Sequence, residues 1–478
     1  DFLIMNNTIL NNELLSDPFC DLRDKYGLPF VYDKAGKEVV GINQRFFAAL
    51  YCQARNLLFD KDEKKFFLYD QSTGLWQEQS SNAQLCDVAQ LIMQYVPDDY
   101  IRLSTSRMIS QIQSFIKGLA EKRGAFQNKK KNVIHVANGI LEFIPDSGWE
   151  LRNPQPEDYS RNRSEITYNP ESQCPQFLDQ LLGKAMSEED INLLQQYAGL
   201  VLLGYNLSQK VLLLTGSAGG GKSTLVNILE GLIGRHNCCE LRTEHLDQRF
   251  EIARFVGKTL LTAKDVKSSF LNTPGAAKIK ALTGKDTLTA DFKGVSTGVD
   301  VIGNFNVVIT ANTELHVALD GDKEAWRRRL LWIKYELPPT STPIADFDEK
   351  ILTEEGAGVL NWALEGARKL LVEGGEIRMT AKQTERVDKL LLESDTVGQF
   401  VHNCIILSPG LNATSEELWS QFCHYCDYQG WAPGSRKRFF IELKNAMLTE
   451  FHLSQSHRIS RNNTLKRGYE GIRIRKDC

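Results

Sequence analysis

Long apolar runs are missing from this chain, and their absence limits where the protein can work. The sequence of 478 residues contains no uninterrupted apolar stretch near the roughly 18 residues needed to cross a bilayer, and no signal-peptide pattern. Its ten cysteines show no framework spacing, which predicts free thiols in a reducing compartment. We therefore expect a cytoplasmic protein with no membrane partner.

Metal-ligand clusters and low-complexity tracts are also missing. Cys423 and Cys426 have the spacing of a metal or redox pair, but no second ligand pair follows them. Leu418, Phe422 and Tyr425 recur around this pair at helical spacing, and a structural zinc ion needs four ligands. A core helix is the favoured interpretation, and we predict no metal cluster.

What the sequence does contain is an ordinary globular composition with an uneven charge. Hydrophobic residues make up 42% and charged residues 24% of the chain, and the length suggests two to four domains. The net charge is −3, but between positions 436 and 476 eleven basic residues stand against three acidic ones. A basic end of this kind suits a polyanion, although a solvated surface is an equal alternative on charge alone. The predicted DNA-binding residues in this region are Arg436, Lys437, Arg438, Arg467 and Arg473.

The distribution of strand-like and helix-like patterns divides the chain into four parts. Residues 1–165 read as mixed α/β, with a hairpin around Asn138 and Gly139. Residues 166–345 alternate strands and helices, which predicts a parallel sheet covered by helices. Residues 346–389 are helical, and 390–478 form a small basic and aromatic domain.

A glycine-rich turn ends an apolar strand-like run in the stretch KVLLLTGSAGGGKSTLVNIL at 210–229. The turn matches G-x-x-x-x-G-K-[ST], and the strand before it and the helix after it are the context that this phosphate-binding loop requires. Glycines let successive N–H groups point at a phosphate, and the following helix adds the positive end of its dipole. The predicted ATP and Mg²⁺ site comprises Gly216, Ser217, Ala218, Gly219, Gly220, Gly221, Lys222, Ser223 and Thr224. A chance glycine turn is the alternative, which the flanking pattern disfavours.

Polar side chains in three later segments suit the surroundings of such a loop. GKTLLTAKDV ends a strand near Asp265, where a carboxylate would bind Mg²⁺ through water and polarise the attacking water. FNVVITANTELH ends another strand at Asn312, within reach of a γ-phosphate or the lytic water. EAWRRRLLWIKYELP carries three arginines, which cannot all be buried unpaired and so meet acids or a further phosphate.

The order of these elements resembles that of the superfamily 3 helicases, specifically the phage, plasmid and poxvirus primase–helicase family. LTGKDTLTA, VVITAN and AWRRRLLWIKY follow the glycine turn in the order and spacing of that family. VANGILEF and YNPESQCPQFLDQLL resemble its N-terminal helicase-associated domain, and ESDTVGQFVHNC and GYEGIRIRK its C-terminal winged-helix region. The resemblance implies an AAA+ P-loop core over 166–345, an oligomerisation domain over 1–165 and a winged helix over 390–478.

The resemblance also implies roles for individual residues. Lys222 is the phosphate-binding lysine, and Asn312 is the sensor asparagine. Arg328 is the arginine finger, which reaches the ATP of a neighbouring subunit, and Arg329 stands beside it. Asp265 takes the catalytic-acid position, where the family usually has glutamate and often a second acid. The single carboxylate here predicts slow hydrolysis.

The glycines and polar residues of 278–298 suit a hairpin that projects from the core. Lys293 lies at its predicted tip and, by the resemblance, contacts DNA phosphates in the ring pore. Lys285 stands where the family commonly has glycine and is a second candidate for a DNA contact. An ordinary solvated hairpin lysine is the alternative for Lys293.

Taken together, the resemblance implies an ATP-dependent, ring-forming replicative DNA helicase of a phage, plasmid or mobile element. Its expected partners are single-stranded and forked DNA, further copies of itself (a hexamer in the family) and a primase or polymerase. An AAA+ initiator or scaffold that binds or melts origin DNA with little unwinding stays open because of the lone Asp265. A P-loop small-molecule kinase also stays open, although it gives no reason for an arginine that acts across subunits. No paired-acid polymerase motif occurs in 1–165, so we predict no priming by this chain.

Overall fold

The computed structural model describes residues 19–127, 130–267, 274–293, 298–313, 323–335, 344–429 and 433–475. The chain divides into two units, Asp1–Thr167 and Tyr168–Cys478, each with its own buried core. Part of the predicted hairpin tip, at 294–297, and the basic residue at 476 lie outside the described residues.

The first unit combines helices with three small sheets. Its elements are α1 (Cys20–Tyr26), β1 (Phe30–Tyr32), β2 (Val39–Ile42), α2 (Gln44–Ala54), β3 (Leu57–Asp60), β4 (Lys65–Asp70), β5 (Leu75–Gln79), α3 (Ser81–Tyr95), α4 (Ser106–Ala120), β6 (Glu121–Lys122), β7 (Val133–Val136), β8 (Gly139–Ile144) and β9 (Gly148–Arg152). The side chains of Asn43, Ser80 and Thr105 cap the N-termini of α2, α3 and α4 by accepting backbone N–H bonds. Buried faces of these helices pack around Phe46 and Ile112. The predicted hairpin at Asn138 and Gly139 is confirmed, because β7 and β8 pair antiparallel there.

The second unit contains the glycine turn. Its elements are a π-helical segment (Gln176–Leu182), α5 (Glu188–Leu203), β10 (Val211–Thr215), α6 (Lys222–Ile233), β11 (Cys238–Glu240), β12 (Leu260–Ala263), α7 (Pro274–Thr283), β13 (Thr287–Ala290), β14 (Val299–Ile302), β15 (Asn306–Ala311), α8 (Lys323–Arg327), β16 (Leu330–Lys334), α9 (Phe347–Val372), α10 (Ala381–Ser394), α11 (Thr396–Cys404), β17 (Ile405–Thr414), α12 (Ser415–Gln429), α13 (Arg436–Phe451), β18 (Ser456–Arg461) and β19 (Thr464–Ile474). The α/β prediction is confirmed, and the predicted boundary at 389 falls inside α10.

Five parallel strands form the centre of the second unit, in the order β11-β12-β15-β10-β16. The run from Val211 to Thr215 is buried at every residue, as expected for a strand covered by helices on both faces. Strand β10 lies between β15 and β16, where the direction of the chain connections changes. Ligands of open α/β sheets bind at the carboxyl ends of strands at such a point. We therefore expect a ligand site at the carboxyl ends of β10 and β15.

A two-stranded hairpin and a small terminal module accompany the sheet. The hairpin pairs β13 with β14, and residues 274–283 ahead of it form α7. The predicted hairpin start at 278 is thus wrong, because that stretch packs Ile279 and Leu282 into the core as a helix. The terminal module runs helix, strand, helix, helix, strand, strand from α11 to β19, and its antiparallel sheet has the order β17-β19-β18.

The structure also shows the state of several other residues that the sequence makes conspicuous. Trp326 and Trp332 are core residues, with 1% and 2% of their surfaces exposed. Eight described cysteines are free thiols, but Cys404 is disulfide-bonded, so the prediction of free thiols is wrong for that residue. Pairing depends on the distance between cysteines in the fold, which spacing along the chain does not give. Among the residues that the structure describes, no helix has both the length and the hydropathy to cross a bilayer. No group of three or more potential metal-ligating side chains occurs within the same ranges.

Candidate nucleotide site

The glycine turn is held tightly against the end of strand β16. The Thr215 carbonyl accepts a hydrogen bond of 2.6 Å from the Tyr335 N–H, and the Thr215 hydroxyl accepts one of 2.8 Å from Trp332 Nε1. A Cβ atom at Gly216 would lie 2.0 Å from the Tyr335 carbonyl oxygen. At Gly221 the backbone has φ = 93°, a left-handed conformation that favours glycine. Two of the glycines are therefore required by the path of the turn itself.

Lys222 begins helix α6, and its side chain folds back over the turn. Its Nζ atom donates to the carbonyl oxygens of Gly216 and Ser217, at 2.8 Å each, and to Asn312 Oδ1 at 3.1 Å. Only 4% of the Lys222 surface is exposed. Burial lowers the pKa of its ammonium group, and the charge of Asp265 acts in the opposite direction. The Lys222 ammonium group thus lies where the glycine turn comes together with the ends of β12 and β15.

Asp265 follows β12 in a strained and well-supported conformation. Its φ of 53° lies in the left-handed region, which is uncommon for a residue with a side chain. Its backbone N–H donates to Thr310 Oγ1 at 3.0 Å, and the next N–H, of Val266, donates to the Thr310 carbonyl at 2.8 Å. Thr310 is fully buried in β15. This threonine sets the position of Asp265, and sequence reasoning missed it because an isolated strand threonine carries no distinguishing pattern.

The lysine before Asp265 is engaged elsewhere. Lys264 Nζ contacts Glu230 Oε2 at 3.1 Å and donates to Asn227 Oδ1 at 2.6 Å. Glu230 also accepts a 2.6 Å bond from Thr262 Oγ1. These contacts tie helix α6 to the end of β12 and turn Lys264 toward α6. Sequence reasoning missed Glu230, although its position two helical turns after Lys222 in α6 was a usable signal.

The three consecutive arginines occupy three different environments. Arg327 forms an ion pair with Asp388, with Nε at 2.5 Å from Oδ1. Arg329 is 5% exposed, and its guanidinium donates to the Ala325 carbonyl at 3.0 Å. Arg328 is exposed and makes no side-chain hydrogen bond or ion pair with the residues that the structure describes. Of the two predicted catalytic arginines, the structure leaves Arg328 exposed and buries Arg329.

The two predicted hairpin lysines lie at different ends of the hairpin. Lys285 is in the turn before β13, at φ = 67°, and its N–H donates to the Gly303 carbonyl at the base. Lys293 is exposed beyond the end of β13, with its ammonium group 5.9 Å from the centre of the Phe250 ring. Only Lys293 therefore lies toward the projecting end.

The basic residues of the terminal module are partly neutralised. Arg436 contacts Glu416, and Arg438 forms a 2.7 Å ion pair with Glu442. The remaining three predicted residues are exposed and have no ion pair within the described part of the chain; they are Lys437, Arg467 and Arg473. Lys437 lies in the first turn of α13, and the other two lie on β19. The predicted residues that keep their positive charge unpaired within the described part of the chain are therefore on α13 and on β19.

Comparison with known proteins identifies two segments of the chain. Residues 44–187 match the family described as D5 N terminal like. Residues 214–329, from the end of β10 to Arg329, match a family of unknown function, DUF5906. The chain thus carries a D5 N terminal like segment ahead of its glycine turn.

Two solved structures of the NrS-1 C terminal region, both without ligand, are similar over most of the chain. One is 14% identical, covers 89% of this chain and 98% of its own, and superimposes with a TM-score of 0.48. The other is 13% identical, with coverage of 88% and 97% and a TM-score of 0.49. No curated protein sequence matches this chain significantly.

Proposed function

We propose that this chain is an ATP-dependent DNA helicase of superfamily 3, acting as a ring of identical AAA+ subunits in a bacterial or phage-infected cytoplasm. The observation that carries the proposal is the contact of Lys222 with the glycine turn and with Asn312, next to Asp265. This arrangement brings a phosphate-binding lysine, a polar sensor and a carboxylate to the tips of three neighbouring strands. The D5 N terminal like segment supports the primase–helicase resemblance. A primase or polymerase is the proposed partner in replication.

The residues present fit ATP with Mg²⁺. Gly216 and Gly221 allow the turn to approach a ligand with bare backbone, and α6 directs its N-terminal N–H groups at the same point. Ser223 and Asp265 would hold Mg²⁺ by oxygen ligands, the kind that this ion prefers. ATP, when bound, supplies the phosphoryl transfer to water whose free energy drives movement.

Residues at three strand tips and one residue of a neighbouring subunit have separate roles in ATP hydrolysis. Lys222 neutralises phosphate charge, Asn312 positions the water, and Asp265 polarises it. Arg328, which is exposed, completes the site of the adjoining protomer and stabilises charge that develops in the transition state. Arg329 stays inside its own protomer and positions the turn that carries Arg328.

DNA contacts are proposed on the hairpin and on the terminal module. Lys293 would grip the backbone in the ring pore without reading sequence, and Lys285 at the hairpin base would add charge nearby. The helix–strand–helix–helix–strand–strand order of the module is that of a winged helix. Its second and third helices, α12 and α13, would then present Lys437 to duplex or forked DNA, with Arg467 and Arg473 on the wing strand.

An origin-binding initiator with little unwinding is the second candidate. Asp265 is the one acidic residue in the described segment 264–267 that follows β12, and its neighbour Lys264 is ion-paired with Glu230 of α6. A single acid favours slow hydrolysis, which suits a protein that melts or marks DNA more than a fast motor. Strand displacement on a forked substrate separates the two: processive ATP-dependent displacement supports the helicase, and binding with local melting alone supports the initiator.

The direct test is ATP hydrolysis with and without single-stranded DNA. We expect DNA to stimulate hydrolysis by the unaltered chain and Lys222→Ala to abolish it, because the variant lacks the ammonium group that would neutralise the phosphates. Lys350→Gln, a change of an exposed lysine on α9, is the matched control and should retain activity. DNA-independent hydrolysis that survives Lys222→Ala would contradict the proposal.

A further inference from the structure

A basic cleft opens in the second unit at the end of β16, whose Lys334 pairs in register with Thr215 at the base of the glycine turn. It has a volume of about 640 Å³ and lies between the start of α5, the end of β16 and one face of α10. Five cationic side chains line it: Lys184, Lys334, Lys382, Arg386 and Lys389. We call this feature the α5–α10 cleft.

The acidic residues of the α5–α10 cleft do not cancel its charge. Asp190 is 3% exposed and accepts hydrogen bonds from Arg386 and from Gln383 Nε2, so its carboxylate is already satisfied. Glu385 is the other acid on the lining. Glu189 is a third acid nearby, 3.9 Å from the Lys382 ammonium group. Five cations against three acids still leave an excess of positive charge that a polyanion can neutralise.

Hydrogen bonds hold Arg386 in place through one terminal nitrogen, which leaves its other guanidinium donors for a ligand. One of its terminal nitrogens makes all of its hydrogen bonds, to both Asp190 carboxylate oxygens at 3.2 and 3.0 Å and to the Trp332 carbonyl at 2.9 Å. Nε and the other terminal nitrogen have no partner among the described residues. A guanidinium group presents several donors in a planar fork that matches phosphate oxygens. Arg386 is therefore pre-organised to receive a phosphate group in the cleft.

The lysines are spread along the cleft. Lys382 and Lys389 are both exposed on α10, and seven residues of helix separate them by about 10 Å. Lys184 lies on the opposite wall, before α5. Charges distributed in this way suit a chain of phosphates, whereas a compact phosphate needs donors that converge on one point. Lysine is a point charge that holds a backbone without reading bases.

We propose that the α5–α10 cleft binds the phosphate backbone of single-stranded DNA, as a contact additional to the hairpin. The inference rests on the proposed function, because it assumes that the protein engages a DNA strand. It assigns Lys382, Arg386 and Lys389, none of which belongs to the glycine turn or to the hairpin, to strand binding.

The test measures binding of a fluorescent oligothymidylate by the full chain over a range of salt concentrations. Each phosphate contact on a single strand contributes about 0.7 to the slope of log affinity against log salt. The double variant Lys382→Gln with Lys389→Gln should therefore lower the slope by about 1.4 and weaken binding at low salt. The matched control changes Lys34 and Lys350 to glutamine, two exposed lysines that do not line the cleft, and should keep the original slope.

Two outcomes overturn the inference, and one of them leaves the proposed function intact. If the unaltered chain binds DNA and the cleft variant has the same slope as the control variant, the cleft is not a strand site while the helicase proposal stands. If the unaltered chain does not bind single-stranded DNA, the helicase proposal fails and the inference fails with it. Titration of pyrophosphate into Lys222→Ala protein then distinguishes a compact phosphate ligand from a DNA strand. Pyrophosphate binding that the cleft substitutions remove, with an unchanged DNA slope, would assign a compact phosphate ligand instead.

Discussion

Replacing Thr310 by valine tests how the end of β15 positions the proposed catalytic acid. The substitution keeps the branched shape of a fully buried side chain and removes one oxygen atom. That oxygen accepts the N–H of Asp265 at 3.0 Å. Thr310 does not contact the phosphates in this account, so its effect should pass through Asp265 alone.

The expected size of the effect follows from the Asp265 N–H, which loses its hydrogen-bond acceptor. The Asp265 N–H would be left unsatisfied, which costs about 1–3 kcal/mol. Its left-handed backbone conformation carries a further cost of roughly 1–2 kcal/mol that the Thr310 contact helps to offset. With that contact gone, relaxation of the backbone moves the carboxylate, and a loss of about 1.4 kcal/mol in transition-state stabilisation lowers turnover about tenfold.

ATP hydrolysis kinetics and urea unfolding measure the two effects separately. Thr310→Val should lower kcat about tenfold or more with little change in KM for ATP, since the glycine turn is untouched. Thr310→Ser, the matched control, keeps the acceptor and loses a methyl group, so it should lose about 1 kcal/mol of stability but keep kcat. Thr310→Val protein with the kcat of the unaltered chain would refute the positioning role.

Three further predictions concern the glycine turn, a buried ion pair and the hairpin. Gly216→Ala should weaken ATP binding more than tenfold, as measured by nucleotide titration, because its Cβ would lie 2.0 Å from the Tyr335 oxygen. Burial would raise the pKa of Glu251, but hydrogen bonds from Arg242 and Arg254 outweigh it and hold that pKa below its ordinary value of 4.5. Glu251→Gln should therefore cost about 2 kcal/mol in urea unfolding at pH 7. That difference should persist above pH 4.5 and vanish as the pH falls through the lowered pKa of the folded state. Lys293→Gln should reduce the salt slope of single-stranded DNA binding by about 0.7, and an unchanged slope would exclude a phosphate contact there.

Much of the sheet and of the glycine turn could be predicted from local sequence pattern. The buried run before Gly216, the helix that begins at Lys222 and the strand that ends at Asn312 each carry a signal within about ten residues. The turn at Asn138 and Gly139 belongs to the same class, because an Asn-Gly pair between apolar runs has a strong hairpin preference.

Features that depend on distant contacts were not predictable in this way. Thr310 supports Asp265 across 45 residues of sequence, and nothing in its own neighbourhood distinguishes it from any other strand threonine. Residues 278–283 alternate polar and apolar side chains and so read as the start of the hairpin, but tertiary packing of Ile279 and Leu282 makes them the end of helix α7. The α5–α10 cleft draws its cations from three separate elements. Only the fold brings such residues together.

Cooperation between neighbouring subunits is the central claim, and a mixing experiment tests it most directly. Lys222→Ala protein retains Arg328 but lacks the phosphate-binding lysine, and Arg328→Ala protein has the reverse defect. Each should be inactive alone, since an arginine finger contributes about 10³–10⁵ in rate. In a ring with head-to-tail interfaces, a random one-to-one mixture pairs an intact turn with an intact Arg328 at about a quarter of the sites.

Mixing the two inactive proteins should restore about a quarter of the hydrolysis rate of the unaltered chain. Lys222→Ala protein mixed with the double variant Lys222→Ala, Arg328→Ala is the control and should stay inactive. A mixture of the two single variants that stays inactive, although both assemble into rings, would contradict an arginine that acts across the subunit boundary.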